Sequence, residues 1–239
     1  MLRSIEISKD RSVNMRSLVT VLLVVLAAAA MPAFASAEEL RRVGSGTAIV
    51  LSGVGSDTRC TLGVAGYDDQ NRMVGLTAAH CGGVGSEVVI EDAPHLGSVG
   101  TVVRINSQLD SSVVLFDALK VVPANQTPTI AVNELGSSPR LAQWVCKEGE
   151  TTGNTCGFSI GHGFARDYNS ISIVCVAEGD SGGPVVAGNR LIGIATDRIP
   201  KGLPVAMVPC PTLLLSTDFG SIVADLNSNP GFGSGFRIG

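Results

Sequence analysis

Apolar and polar residues fall along this chain in short runs bounded by Gly, Asn, Asp or Ser. Six runs rich in β-branched residues come first: Gly46–Ser52, Thr58–Gly63, Asn71–Thr77, Ser86–Glu91, Ser98–Ile105 and Ser111–Phe116. Each predicts a short strand. The stretch 122–140 has three Pro, two Asn and the Gly136-Ser137-Ser138 run, and it reads as a linker. A second set follows: Ala142–Lys147, Asn154–Ile160, Ser170–Val176, Pro184–Ala187, Arg190–Thr196 and Pro204–Val208. Only one segment reads as helical. Ser216-Thr217-Asp218 is a capping run, and Phe219, Ile222, Val223 and Leu226 then recur at helical spacing up to Asn227. The tail after Pro230 is Gly-rich and is expected to be flexible. No repeat of 20 to 50 residues is visible, which excludes solenoids and propellers. The pattern is all-β, with two antiparallel barrels or sandwiches and a short C-terminal helix.

The N-terminal pattern differs. Lys9, Arg11 and Arg16 precede an apolar run from Leu18 to Ala30. Pro32 and two small-x-small sites follow, Ala33-Phe34-Ala35 and Ala35-Ser36-Ala37. Residues 1–37 are therefore expected to be a secretory signal peptide, cleaved after Ala37. The apolar run fades into Ala, Pro and Ser before it is long enough to anchor stably in a membrane. Met15 would start a more typical leader, and the sequence alone leaves both starts open. The remainder divides into 38–121, a first strand domain; 122–140, the linker; 141–215, a second strand domain; and 216–239, the helix and tail.

Composition sharpens this picture. The 239 residues are 45% hydrophobic and 16% charged, enough for a packed core. Gly numbers 29 against 10 aromatic residues, which suits tight turns and short strands. The net charge is −4, and without the leader 13 basic and 19 acidic residues remain. That balance argues against a nucleic-acid partner. Six cysteines, an even number with no Cys-x-x-Cys, point to disulfides in an oxidising compartment rather than to a metal site. His95 and His162 stand isolated in sequence, and neither metal nor cofactor is expected.

Two motifs carry chemistry: Thr77-Ala78-Ala79-His80-Cys81 and Gly179-Asp180-Ser181-Gly182-Gly183-Pro184. A serine hydroxyl is a weak nucleophile until an imidazole takes its proton. The imidazole needs a carboxylate to fix its tautomer, and the oxyanion needs backbone N–H donors, which small residues beside the serine allow.

With these motifs and the cysteine spacing, the chain from about Gly44 to Leu226 resembles the chymotrypsin-like serine proteases of the bacterial alpha-lytic and streptogrisin type. The resemblance implies two antiparallel six-stranded β-barrels. It also implies His80 as general base, Ser181 as nucleophile, and the Gly179 and Ser181 N–H groups as the oxyanion hole. Asp110, ahead of a short apolar strand, is the expected carboxylate; Asp117, after that strand, is its rival. The implied disulfides are Cys60–Cys81, Cys146–Cys156 and Cys175–Cys210. The loop Cys146-Lys147-Glu148-Gly149-Glu150-Thr151-Thr152-Gly153 is similar to the bacterial branch's Cys-Arg-Ser-Gly-x-Thr-Thr-Gly. Lys147 stands at the arginine position, and it is expected to pair with Asp180 and support the oxyanion loop.

Two departures stand out. Where relatives carry Ser-Gly-Gly at the pocket wall, this chain has Thr196-Asp197-Arg198. Asp197 and Arg198 are expected to fill the pocket, pair with each other, or select a charged side chain, a basic one through Asp197 among them, so primary specificity does not carry over from the resemblance. Second, 42 residues separate Glu38 from His80, too few for a separate pro-domain. Asn125-Gln126-Thr127 also matches an N-glycosylation acceptor, a common pattern. The expected function is a secreted, monomeric serine endopeptidase acting on peptide or protein substrates through an acyl-enzyme. The alternative is a protease-fold protein that binds peptide or surface material with little turnover. A lipase-type esterase is disfavoured, because there the His comes last in the chain.

Overall fold

The computed structural model describes residues 40–53, 56–163, 167, 169–199, 210 and 212–239. The expected leader and the run Pro204–Val208 lie outside them. In chain order the elements are β1 (Arg41–Val43), β2 (Ala48–Leu51), β3 (Thr58–Thr61), β4 (Val64–Tyr67), β5 (Met73–Thr77), β6 (Glu87–Ile90), β7 (Gly100–Asn106), β8 (Ser111–Phe116) and β9 (Val121–Pro123). Then follow β10 (Glu134–Leu135), β11 (Trp144–Lys147), β12 (Thr155–His162), β13 (Asn169–Ser172), β14 (Pro184–Ala187), β15 (Arg190–Ile199), β16 (Leu213–Asp218), helix α1 (Phe219–Ser228) and β17 (Arg237–Ile238).

The second half forms a closed six-strand barrel. Its strands run β15-β14-β11-β12-β13-β16, and β16 pairs back onto β15 to complete the ring. The first half is an eight-stranded sheet in the order β17-β4-β5-β8-β7-β6-β2-β3. Its distant strands β3 and β4 are consecutive in the chain, and the turn between them is bonded to both sides. Leu62 N–H donates to Thr47 O and Gly63 N–H to Leu76 O, each at 2.8 Å.

Strand β5 shows why a fully apolar run is needed at the middle of the molecule. All five of its residues are buried. Met73 packs into the first sheet's core with Leu51, Ile90 and Val114. Its alternate neighbours Val74 and Leu76 point the other way, as strand geometry demands. There they join Val113, Leu191, Ile194, Phe219 and Ile222 in a core shared by both halves. A third cluster, with Val145, Val185, Ile192 and Leu214, fills the second barrel. Helix α1 starts where the capping run predicts: the Asp218 side chain accepts the Ser221 N–H.

Three sequence expectations change. The Gly-rich tail is not loose: Phe236 is buried against Phe219, with ring centroids 6.3 Å apart, and β17 pairs antiparallel with β4. The three glycines Gly231, Gly233 and Gly235 take positive φ and fold the tail onto the core, which composition alone cannot reveal. The stretch 122–140 is packed as well. Its start, β9, pairs with β1, Ile130 and Val132 are buried in the shared core, and β10 pairs with β15. Asn125 is a structural hub rather than a glycan acceptor. It is buried, and its amide donates to Ala65 O (2.7 Å) and accepts from Ala65 N (2.8 Å).

Removing the Phe236 ring should therefore cost what a core aromatic costs, about 3–5 kcal/mol. The urea midpoint of Phe236→Ala is expected to fall accordingly; a loose tail would leave it unchanged.

Candidate active site

His80 sits in a 3-10 turn, Ala79–Cys81, at the end of β5, and the Cys60–Cys81 disulfide ties that turn to β3. Asp110 comes from the tight turn between β7 and β8. The Asn106 side chain accepts the N–H groups of Gln108 and Leu109, and Asp110 itself takes φ +48°, which aspartate tolerates better than most residues. The two side chains meet. His80 Nδ1 lies 2.7 Å from Asp110 Oδ2, and the His80 backbone N–H donates to Oδ1 at 2.9 Å. One carboxylate thus holds both the ring and the backbone of the same residue. Burial pushes the Asp110 carboxyl pKa up, but the hydrogen bonds and charge of His80 outweigh it and the net shift is downward. The rival Asp117 only caps a turn, accepting the Leu119 N–H.

Ser181 faces the same cleft. It lines a cavity of about 180 Å³ with His80, Val176, Ala177, Thr196 and Arg198, and a second of about 430 Å³ with His80, Cys60 and Gly179. A third hollow, of about 570 Å³, continues from His80 and Asp110 past Thr196, Asp197 and Thr217. The cleft is therefore a groove running across His80.

The loop that carries Ser181 is bonded on every side. Lys147 and Asp180 are both 0% exposed and pair at 3.0 Å. Lys147 also donates to Gly153 O at 2.8 Å. Asp180 accepts the N–H groups of Thr151 (2.9 Å), Thr152 (3.0 Å) and Ala177 (2.9 Å), and the Thr152 hydroxyl at 2.6 Å. Burial holds the Lys147 pKa below its ordinary value, although Asp180 pulls the other way. Thr61 adds a tie from the first sheet: its N–H donates to Ser181 O and its hydroxyl to Gly179 O, both at 2.8 Å.

The peptide planes follow from these bonds. The Thr151 hydroxyl donates to Glu178 O, so the trans peptide turns the Gly179 N–H to the opposite side. Among the described residues, neither the Gly179 N–H nor the Ser181 N–H donates to a protein acceptor. Gly179 has φ +97°, and a Cβ there would lie 2.2 Å from Thr151 Oγ1; Gly182 has φ +85°, and its Cβ would lie 1.9 Å from Thr77 Oγ1. Both positions exclude a side chain.

No protein-family model and no curated protein matches the chain in sequence. Solved structures do match. The Nocardiopsis protease superposes with TM-score 0.64 at 21% identity, covering 78% of this chain and 97% of its own. Thermobifida fusca protease A gives 0.63 at 19% identity, covering 83% and 100%. The Cellulomonas bogoriensis chymotrypsin gives 0.60 at 21%, covering 82% and 98%. The chain has the chymotrypsin-like fold of these bacterial serine proteases.

In that fold the cysteines pair as Cys60–Cys81, Cys146–Cys156 and Cys175–Cys210. Cys60, His80 and Cys81 are the one grouping of metal-ligating types among the described residues, and its two sulfurs are bonded to each other. Asp197 and Arg198 do not pair through their side chains. Asp197 Oδ1 accepts the Arg198 backbone N–H at 2.8 Å, while the Arg198 guanidinium reaches Glu178 at 3.1 Å. Thr61 and Glu178 escaped the sequence reading because no motif marks them, and Thr151 was given no role there. For Thr151 a signal existed in the Thr-Thr of the loop after Cys146.

Two measurements check this account. Lys147→Ala leaves a buried carboxylate without its cation and should cost about 3–5 kcal/mol in urea unfolding. Asp110, with its pKa lowered, adds stability above its unfolded pKa near 3.8 and loses it as the pH falls through the lower folded value. The stability gap between native protein and Asp110→Asn is expected to be full at about pH 6 and to shrink below about pH 3.8.

Proposed function

We propose that the protein is a serine endopeptidase that works through Ser181, His80 and Asp110 and is exported from the cell. The observation that carries the reading is the two-point grip of Asp110 on His80, in a cleft that Ser181 shares. His80 Nε2 takes the Ser181 proton as the hydroxyl oxygen attacks the scissile carbonyl. Asp110 keeps the Nδ1 proton in place and stabilises the imidazolium that forms. Charge then collects on the carbonyl oxygen. The unpartnered N–H groups of Gly179 and Ser181 are the donors suited to receive it. Collapse of the tetrahedral species expels the amine, which takes the proton from His80 and leaves an acyl-Ser181 ester. Water, deprotonated by His80, reverses the steps and releases the acid.

Export is supported by three disulfides and by the leader pattern of residues 1–37. Among the described residues no helix is long and apolar enough to cross a membrane. Among the described residues β14 pairs with β15 only as far as Ile194 while β16 pairs along the other side as far as Ile199, which supports an extended peptide as the substrate.

One observation favours the alternative of a peptide-binding protein with little turnover: Arg198 and Glu178 pair across the wall of the cavity next to Ser181. A fluorophosphonate probe separates the two readings. Labelling of the folded protein at Ser181 is expected, and it should vanish in Ser181→Ala and His80→Ala. Folded native protein that stays unlabelled would favour the binder. With a cleavable peptide, Asp110→Asn should lower kcat by about 10³–10⁴-fold, the scale expected when the tautomer is no longer fixed.

A further inference from the structure

The cavity beside Ser181 contains a buried cation whose hydrogen bonding is incomplete. Arg198 is 9% exposed and lines the cavity with Val176, Ala177 and Thr196. Its Nη2 meets Glu178 at 3.1 Å. Its Nη1 is buried and has no partner among the described residues. A buried donor left in this state is unfavourable, so the arrangement favours a ligand that brings it an acceptor. The pair is also lopsided. The Glu178 side chain is 91% exposed, so its carboxylate is well solvated and leaves the guanidinium at little cost.

We propose that this cavity binds the acidic side chain of a substrate, Glu or Asp, at the residue on the acyl side of the cleaved bond. This rests on the protease reading for its kinetics, not for its binding. Arg198 is the specificity residue. A planar carboxylate entering the cavity takes Nη1 and Nη2 together in a fork, whereas Glu178 now reaches Nη2 alone. Glu178 swings out to water as the substrate carboxylate replaces it. The exchange is one carboxylate for another, so no cation is stranded.

Other charges around the cavity have to allow this. Those lining it are Glu178, Asp197 and Arg198, with His80 at its rim. Asp197 already accepts the Arg198 backbone N–H at 2.8 Å, which spreads part of its charge into the strand. A lysine or arginine entering would instead bring a second cation against a buried guanidinium. A cavity of about 180 Å³ has room for a medium side chain and some water.

The test reads binding and turnover separately on the native protein. Peptides that differ only in a C-terminal Glu, Gln, Lys or Ala mimic the acyl-side product and need no catalysis to bind. Calorimetry is expected to find the Glu peptide at least about tenfold tighter than the Gln peptide, the difference a charge-assisted fork makes over a neutral amide. Equal affinity, or tighter binding of the Lys or Ala peptide, overturns the proposal whether or not the protein cleaves anything. Arg198→Ala should abolish the preference; retention of the preference in that variant overturns the role of Arg198. Since Arg198 lies within β15, Glu178→Gln is the second variant, on an exposed side chain. It should tighten the Glu peptide severalfold by removing the competitor, and an unchanged or weaker affinity counts against the exchange. The fluorophosphonate result reports separately on the protease reading.

Discussion

Two opposite charges with no access to water, Lys147 and Asp180, hold the shape of the loop on which everything in the cleft depends. Taking both from water is expensive, and their attraction repays it only if the remaining hydrogen-bonding capacity is met. It is met here by Gly153 O on one side and by Thr151, Thr152 and Ala177 on the other. Those partners lie in two different segments, the loop after β11 and the turn before Ser181. The pair therefore acts as a joint between them. It fixes the residues on both sides of Gly179, and Gly179 has no side chain with which to fix itself.

The first sheet contributes to the same joint. Thr61 closes onto Ser181 through its N–H and onto Gly179 through its hydroxyl, while its carbonyl accepts the Thr77 hydroxyl at the end of β5. Serine and histidine come from different halves of the molecule, and Thr61 stands between them. The Cys60–Cys81 bridge does the same from the neighbouring position, tying the histidine turn to the strand that carries Thr61. The cleft is thus a seam closed by short bonds at its floor, while its upper walls, Asp197 and Glu178 among them, remain more accessible.

Much of this was legible in the sequence, for physical reasons that can be named. Strands such as β8 and β14 are β-branched runs between turn residues, and the runs Ser111–Phe116 and Pro184–Ala187 coincide with the observed strands. The capping run ahead of α1 is a local signal and needs no tertiary context. By contrast, β4 was missed because Val64-Ala65-Gly66-Tyr67 is too short and too small to stand out, and its strand character comes from its neighbours β5 and β17. The same holds for β16: Leu213-Leu214-Leu215 does not alternate, and its last residues read as a helix cap, which they also are. In the site, the motifs marked His80 and Ser181, the resemblance pointed to Asp110 with Asp117 as its rival, and the structure sets His80 and Asp110 in contact. Thr61 and Glu178 were invisible, because what they do depends on which carbonyl or guanidinium the fold brings to them.

The pairing of β17 with β4 has a consequence for how the molecule is made. Arg237 and Ile238 lie across from Tyr67 and Gly66, so the edge of the first sheet is finished by the last stretch of chain. Contacts so far apart in sequence are entropically slow to form. During synthesis the first half must wait, with β4 unpaired along one side, until the segment that follows α1 has been made. Until then the bare side of β4 is open to pairing with another strand, so the first half is the part of the molecule most exposed to mispairing while it waits.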